Sequence, residues 1–545
     1  YLRYLLILLA AYSICVSFRL VEVPKWQEDK FSINNEYILP TADPYLYLVD
    51  VEVNDKQNRS LGILLKWSEK ITGTKLGNLA FWLPPFLAPL IVLPVWLLGV
   101  RNKQTTAILA AAIVAGGCLA YLERTRLGWY YNDMLALTFK YLEACMLFIW
   151  LSFVCRKSWA AYKDGDVPSA PGPMFYLLAI GMGLIFRLDY FLDKEKMVIS
   201  FALLVSALVL GFVLARKSTI PMLSTGFVMI VTVAFFGWMG FILSFGLLFI
   251  CVYKPQLIFN WNSMAVLALA GLSFLAYTGA LIDYPQEIYS QITRYASTKE
   301  PTGFWPNVQT SIEQVKKFDI HQLVHNLVGY LFIFFPSILG YIYLITRISL
   351  YLILLLFLVF GLSSLSLGKR FAMYAGPVLG IGLAFGLNRL LLDLKQSDMR
   401  RWLAQGILCL LVIWPIYSRA SEFKPNALLS KEYVQGYVNL KDITRPRAQI
   451  WQWWDYGYMA QFYAQTKRRP FCTPGRHSTR HLYSLSKAYS TPSLLASSQI
   501  IKYNLRLTSR NNPEKTERIF DSLNKKKINK KTRIKEQYIV HSWRN

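Results

Sequence analysis

The sequence predicts a polytopic α-helical membrane protein with a smaller mixed α/β domain at its C-terminal end. Three observations predict it. The 545-residue chain is 54% hydrophobic with a mean hydropathy of +0.32. Apolar runs of roughly 18 to 25 residues recur along it, each long enough to cross a hydrocarbon core of about 30 Å. Beyond residue 420 the composition turns polar and basic.

Hydropathy gives about 13 spans by the usual length criterion. They lie at 2–20, 79–100, 104–122, 133–155, 173–192, 196–215, 219–235, 237–253, 259–282, 326–346, 349–367, 370–391 and 401–419. The stretch 219–253 is one apolar run of 35 residues. At about 1.5 Å per residue it is too long for a single crossing, so we divide it near Phe236-Gly237. Loop charges support the division. With the N-terminus inside, inner loops hold Arg101 and Lys103, then Arg156, Lys157 and Lys163, then Arg216 and Lys217, then Lys254, Arg347 and the Lys395, Arg400, Arg401 group. That alternation is the positive-inside pattern, and without the division Lys254 would fall outside. The first run has no small-residue cleavage site after "YSICVSFRLVE" and reads as an uncleaved anchor.

The transmembrane domain thus covers 1–420, with long outer loops at 21–78 and 283–325. The tail 421–545 lies outside and mixes helical and strand-like runs such as "PSLLASSQIIKY" and "EQYIVHSW". The chain opens at Tyr1 and stops just after a strand-like run, so we expect a piece of a longer chain and a truncated tail domain.

Formal charge is +27, from 59 Lys+Arg against 32 Asp+Glu. Inner loops and anionic headgroups account for part of the excess. The rest sits in the tail, especially "NKKKINKKTRIKE", where an anionic ligand or surface is an equal reading. No basic soluble module with base-stacking aromatics is present, so nucleic acid is not an expected partner. The seven cysteines make no disulfide framework. All but Cys472 fall in or beside apolar runs, where cysteine behaves as a small hydrophobe.

Four polar clusters fall on the outer side. Asp43 sits in "LPTADPYLYL", Asp133 in "GWYYNDML", Glu313 in "QTSIEQV", and Lys369 with Arg370 in "LGKRFAMYAGP". Singly each has a plain explanation: a turn former, a first-turn helix acid, a solvated charge and a snorkelling cation. Jointly, three carboxylates at one membrane face suit Mg²⁺ or Mn²⁺, and an adjacent Arg suits a phosphate in the headgroup layer. That is the equipment of a transferase using a phosphate-linked lipid donor.

The tail opens with "WQWWDYGY", Trp451 to Tyr458. Two indole N–H donors beside one carboxylate acceptor can satisfy a hydroxyl, which is one donor and two acceptor sites. An interfacial aromatic belt is the bland reading, but a belt requires neither Asp nor Gly.

"WWDYG", following these spans on the outer side, resembles the catalytic subunit of the oligosaccharyltransferases, most closely the bacterial and archaeal single-subunit enzymes. "ADPYLYL" is similar to that family's first-loop Asp-X-Tyr motif and "GWYYNDML" to its second-loop acidic motif. "TSIE" is similar to Thr-Ile-X-Glu, and "KRFAMYAGPV" to Arg-Phe-X-X-Tyr. The resemblance implies a membrane glycosyltransferase of the type C architecture. It implies transfer of an oligosaccharide from a polyprenyl pyrophosphate to the asparagine of Asn-X-Ser/Thr, with inversion at the anomeric carbon, at the periplasmic face of the inner (cytoplasmic) membrane. By resemblance, Asp43, Asp133 and Glu313 hold the metal, with Asp43 and Glu313 also contacting the acceptor amide. Arg370 binds the pyrophosphate, Tyr458 lies near the donor sugar, and Trp453, Trp454, Asp455 and Ile312 read the acceptor sequon.

The pattern departs from the family in three places. The second-loop motif has acids three and five residues after its Gly; here they are Tyr131 and Asp133, so one expected ligand is missing. The Asp-Gly-Gly-Lys-His pattern reads "TPGRH", matching in kind at Gly475, Arg476 and His477, and His477 is expected to contact the pyrophosphate. Members that demand an acid two residues before the Asn carry an Arg about 12 residues after the loop Glu. Here that position is His325, which predicts relaxed demand.

Two rival readings use the same acids: a glycosyltransferase making glycolipid, which leaves "WWDYG" without a task, and a catalytically impaired homologue. A transporter would need ionisable groups near the midplane, and the spans offer little beyond Lys140 and Glu143.

Overall fold

The computed structural model describes residues 2–53, 60–164, 172–192, 197–215, 220–254, 257–258, isolated positions between 262 and 290, 317–444, 448–464, 469–470, 479–490, 497–498, 500–501 and 537–539. Among them eight helices are long and apolar enough to cross a membrane, nine if a bent pair is one span, with three shorter apolar helices beside them. The protein is a polytopic helical membrane protein.

The Leu2–Leu20 helix shows how a span is built. Leu2, Leu5, Leu6 and Leu9 face outward while Ala11, Cys15 and Phe18 are buried in the bundle. Near its end Arg19 is fully buried. A charge there must be hydrogen-bonded, and Arg19 donates to the carbonyls of Cys15, Gly116 and Thr125 and to Thr125 Oγ1.

The predicted division of the long apolar run is borne out. Ile220–Phe236 and Trp238–Tyr253 meet at Gly237, whose φ of 60° stops the first helix. They fold back closely: a Cβ on Gly240 would lie 1.9 Å from the Thr232 carbonyl oxygen. Thr232 Oγ1 and Ser244 Oγ are 2.7 Å apart across the pair.

Other boundaries are corrected. The span expected at 104–122 is broken into Ile108–Gly117 and Leu119–Leu122, with Cys118 at φ −46°, ψ 121° between them. Consecutive glycines, Gly116 and Gly117, weaken the helix at that point. The span expected at 326–346 begins inside a separate helix, Ile320–Val328, opened by an Asp319–Gln322 capping box. Gly329, at φ 87°, ends it, and Leu331–Arg347 leaves at 77°. The expected 79–100 span runs as Leu76–Leu87, a 3-10 turn Ala88–Ile91 and Val92–Arg101. Pro84, Pro85 and Pro89 remove backbone donors there and force the tighter turn. Most of the expected 259–282 span lies outside the described residues.

Helix contacts use small residues, as expected where lipid is as apolar as a side chain. Leu331–Arg347 packs on Gly376–Asp393 through Gly340, Gly382 and Gly386; a Cβ on Gly340 would sit 2.2 Å from the Gly382 carbonyl oxygen. One polar cluster is buried inside the bundle. Lys140 pairs with Asp189 and donates to Ser200 Oγ, which lies 2.7 Å from Glu143 Oε2. It fastens the Asp133–Asp164, Pro173–Leu192 and Met197–Leu214 helices together. Asp189, within the Pro173–Leu192 helix, belongs to this cluster.

Two layers of shorter elements pack on the bundle. The first loop folds into a small antiparallel pair, β1 (Ser32–Ile33) and β2 (Glu36–Tyr37), and helices Asp43–Val53 and Ser60–Thr72. The tail supplies a helix, Lys431–Ile443, and a parallel sheet in the order β4 (Arg469–Pro470), β3 (Gln449–Trp451), β5 (Gln537–Ile539). The strand-like run "EQYIVHSW" contributes β5.

Candidate active site

Asp133 is the first residue of its helix and is fully buried. A carboxylate there is favoured by the helix N-terminal partial charge but needs a partner once desolvated. The partner is Arg124, nine residues earlier, whose Nε and Nη2 lie 2.6 and 2.5 Å from Asp133 Oδ2. Arg370 Nη2 stands 3.8 Å from the other oxygen. Sequence reasoning missed Arg124. Its only signal was a cation in the short outer loop "LERTRLGWYYND", where nothing distinguished it from Arg126.

The surrounding backbone is pinned. Tyr121 donates its hydroxyl proton between the carbonyls of Met134 and Ala88, at 3.0 Å each. Arg19 holds Thr125, beside Arg124. Gly128, at φ 76°, donates its N–H to Phe81 O at 2.9 Å, and a Cβ there would lie 2.5 Å from Pro40 Cδ. This glycine allows the second loop to approach the segment that leads into Asp43. Arg370 rides on a 3-10 segment, Lys369–Ala375, entered at Gly368 with φ 124°. Tyr141, two turns along the Asp133 helix, donates to Tyr374 O at 2.5 Å and ties that segment down.

Asp43 opens the Asp43–Val53 helix. The plain reading as a turn former gives way to a helix start: Asp43 is the first-turn acid of this helix. Burial raises its carboxyl above the ordinary range; Arg124 and Arg370 oppose the rise and Asp133 adds to it. Asp43, Asp133, Arg124 and Arg370 thus form one electrostatic group: two carboxylates and two guanidinium ions.

The same helix holds the tail. Tyr45, two residues beyond Asp43, is fully buried. Its hydroxyl accepts from Leu39 N at 3.0 Å and lies 3.2 Å from the Tyr463 hydroxyl. Its ring is 5.8 Å from Phe462. Tyr463 ends the helix Gly457–Tyr463, which continues directly from the 3-10 turn Trp454–Tyr456. The helix that follows "WWDYG" is therefore docked on the Asp43 helix. Trp453 and Asp455 are half-buried, and Tyr458 is buried. Leu428 N to Leu39 O, at 3.2 Å, and Lys431 to Asp29, at 2.6 Å, also join tail to first loop.

Tyr131 is half-buried, its ring 6.4 Å from that of Tyr47. Asn132 accepts from the Tyr47 hydroxyl at 2.9 Å, so its carbonyl oxygen is engaged away from the acids. The Asp43 and Asp133 carboxylates are hard oxygen donors of the type Mg²⁺ or Mn²⁺ takes. Among the described residues they are not joined by a third His, Cys, Asp or Glu. Glu313, Ile312, His477 and the Trp454 side chain lie outside the described residues.

The family model described as "Oligosaccharyl transferase STT3, N-terminal" matches residues 61–415, including Asp133 and Arg370. The chain belongs to this oligosaccharyltransferase family. A second STT3-family model, the "STT3/PglB/AglB core domain", matches 446–541 and includes "WWDYG". Among curated relatives is the undecaprenyl-diphosphooligosaccharide–protein glycotransferase of Campylobacter jejuni. It is 25% identical over 462 residues, covering 81% of this chain and 61% of that protein. The chain therefore spans less than two thirds of that relative's length. The oligosaccharyltransferase of Archaeoglobus fulgidus in its apo form shares the fold, with TM-score 0.60 at 17% identity, covering 87% of this chain and 65% of that one. The Archaeoglobus fulgidus enzyme in complex with an inhibitory peptide and a dolichol-phosphate gives TM-score 0.59 at 15% identity, covering 87% and 64%.

Proposed function

We propose that this STT3-family chain transfers an oligosaccharide from a polyprenyl pyrophosphate to the asparagine of Asn-X-Ser/Thr in an acceptor polypeptide. The observation that carries the reading is the docking of the "WWDYG" helix on the helix that begins with Asp43. It brings the element that follows the motif against the helix whose first residue belongs to the group of two carboxylates and two guanidinium ions.

The chemical obstacle is the amide nitrogen, whose lone pair is delocalised into its carbonyl. Asp43, with Glu313, accepts hydrogen bonds from the amide N–H groups, favouring rotation out of conjugation and freeing the lone pair. Arg370 binds the pyrophosphate and offsets the charge that develops as the glycosidic bond breaks. Arg124 holds Asp133 in place. Attack opposite the leaving group inverts the anomeric carbon. Trp453, Trp454 and Asp455 hold the Ser/Thr hydroxyl, with Ile312 beside them, so an acceptor lacking it leaves a carboxylate unpaired. Tyr458 and His477 complete the donor side. Asp43, Asp133 and Glu313 would hold Mg²⁺ or Mn²⁺, which when bound supplies Lewis-acid stabilisation of the departing pyrophosphate.

The proposal also includes about 13 crossings, an inner-membrane location and a site on the periplasmic face, supported by the alternation of loop cations. Tyr131 favours one further reading, a homologue with weakened metal binding and low turnover. The test is transfer from lipid-linked oligosaccharide to a fluorescent Asn-X-Thr peptide with Mn²⁺. We expect a peptide-dependent glycopeptide product that is lost in D43A; metal-independent glycolipid formation without peptide would refute the proposal. A peptide pair differing only in Asp or Ala at −2 should be used about equally, as His325 predicts.

A further inference from the structure

At the end of the bundle that carries the site, a cavity of about 250 Å³ lies between the Leu119–Leu122 turn and the end of the Asp398–Glu422 helix. It is separate from the Asp43–Asp133 group and lies beside Glu123 and Arg126, on either side of Arg124 and Thr125. Its polar lining carries both signs: Arg126, Arg419 and Lys424 against Glu123 and Glu422. Leu119, Leu122 and Phe423 supply apolar wall.

The Arg126 guanidinium stands 3.2 Å over the Phe423 ring. Stacking uses its face; its Nε donates to the Glu123 carbonyl at 3.5 Å, and the Nη groups are the in-plane donors for an acceptor. Its contact to Glu22 is 3.7 Å, and Arg419 to Glu422 is also 3.7 Å, both longer than a charge-assisted hydrogen bond. The segment itself is fixed, because Lys25 Nζ donates to the carbonyls of Ser421 and Phe423.

The level in the membrane is marked by the same helix. Its exposed face runs through Leu410, Leu411, Trp414 and Tyr417. Tryptophan and tyrosine collect where hydrocarbon gives way to headgroups, so residues 419–424 lie in the headgroup layer. The volume is below the roughly 300–1,000 Å³ of a site that encloses a drug-sized ligand. It suits a headgroup whose acyl chains stay in the bilayer.

We propose that this cavity binds the headgroup of a zwitterionic aminophospholipid. The phosphate meets Arg126, Arg419 and Lys424, and the primary ammonium meets Glu123 and Glu422, while the glycerol lies against the leucines. A bound lipid would brace the turn that carries Arg124, and the inference does not depend on which glycan or acceptor the enzyme uses.

The test follows thermal unfolding of the full chain in mild detergent while short-chain lipids are added below their micelle concentrations. Dihexanoyl-phosphatidylethanolamine should raise the midpoint saturably, with at least tenfold tighter apparent binding than dihexanoyl-phosphatidylglycerol. Inorganic phosphate at the same concentrations should have no effect. The R419Q/K424Q pair should weaken binding of both lipids at least tenfold, and E422Q should erase the preference for ethanolamine over glycerol. Equal response to the two lipids in the unaltered protein, reproduction by phosphate alone, or unchanged binding in R419Q/K424Q would each overturn the proposal. The comparison of lipids on the unaltered protein stands even if a variant fails to fold.

Discussion

At Asp133 two guanidinium ions share one buried carboxylate, and they share it unequally. Arg124 makes two short contacts to one oxygen, while Arg370 stays 3.8 Å from the other. Arg124 is the positioning partner, and Arg370 is the more distant of the two. Breaking a buried pair leaves an uncompensated charge, commonly worth about 3–5 kcal/mol; Arg370 nearby reduces that here. R124A should therefore lower stability by roughly 2 kcal/mol, read from thermal unfolding, and reduce glycopeptide formation at least a hundredfold. R124K should recover stability more than activity, because an ammonium cannot reproduce the two-pronged contact. Tyr131 offers the opposite experiment. Y131D puts an acid at the position where the family motif has one and should lower the Mn²⁺ concentration for half-maximal activity about tenfold, measured by metal titration. Asp43 predicts a pH effect. Its carboxyl is raised by burial, so it ionises at a higher pH than an exposed aspartate. Activity should fall on the acid side at a higher pH than for an exposed aspartate, in a pH profile of kcat/KM. An acid limb at the ordinary value would contradict it.

At the scale of elements, the site depends on one helix doing two tasks. The helix beginning at Asp43 presents that carboxylate at its start and clamps the tail two residues later through Tyr45. Y45F removes a hydroxyl that serves both Leu39 N and Tyr463. Leaving those groups unpaired should cost about 1–3 kcal/mol. Because the loss loosens "WWDYG" against Asp43, KM for the acceptor peptide should rise several-fold with donor KM unchanged. Equal changes in both would show a general loss of structure instead. The sequence motifs were legible as motifs, since residue type and spacing are local. That Tyr45 joins two of them was not legible, because its partner is 418 positions away. Span boundaries failed in a consistent way. Hydropathy marks where apolar residues are, but the breaks at Cys118 and Gly329 depend on backbone dihedrals at glycine-containing points. At Gly237 the apolar length alone required a break and the glycine was its natural place, so there the expectation held.

At the scale of the whole molecule, the loop cations predict which side each hairpin faces. Trp238, 83% exposed at the Gly237 turn, and Lys254 at the other end of the same helix should lie on opposite sides of the membrane. Single-cysteine replacements at these positions, labelled with an impermeant maleimide on intact cells, should show W238C modified and K254C modified only after permeabilisation. The reverse result would invert the topology. Residue chemistry and apolar run length are properties of short stretches, and from them the sequence by itself determined the membrane class, most of the spans and the presence of the "WWDYG" motif. Which charges meet is another matter, because desolvation makes partnering obligatory without choosing the partner. Helix packing through small residues such as Gly340 and Gly382, and the turn at Gly128, chose it. Only the tertiary structure therefore decided that Arg124 grips Asp133, that Asp189 joins Lys140 inside the bundle, and that the tail rests on the helix of Asp43.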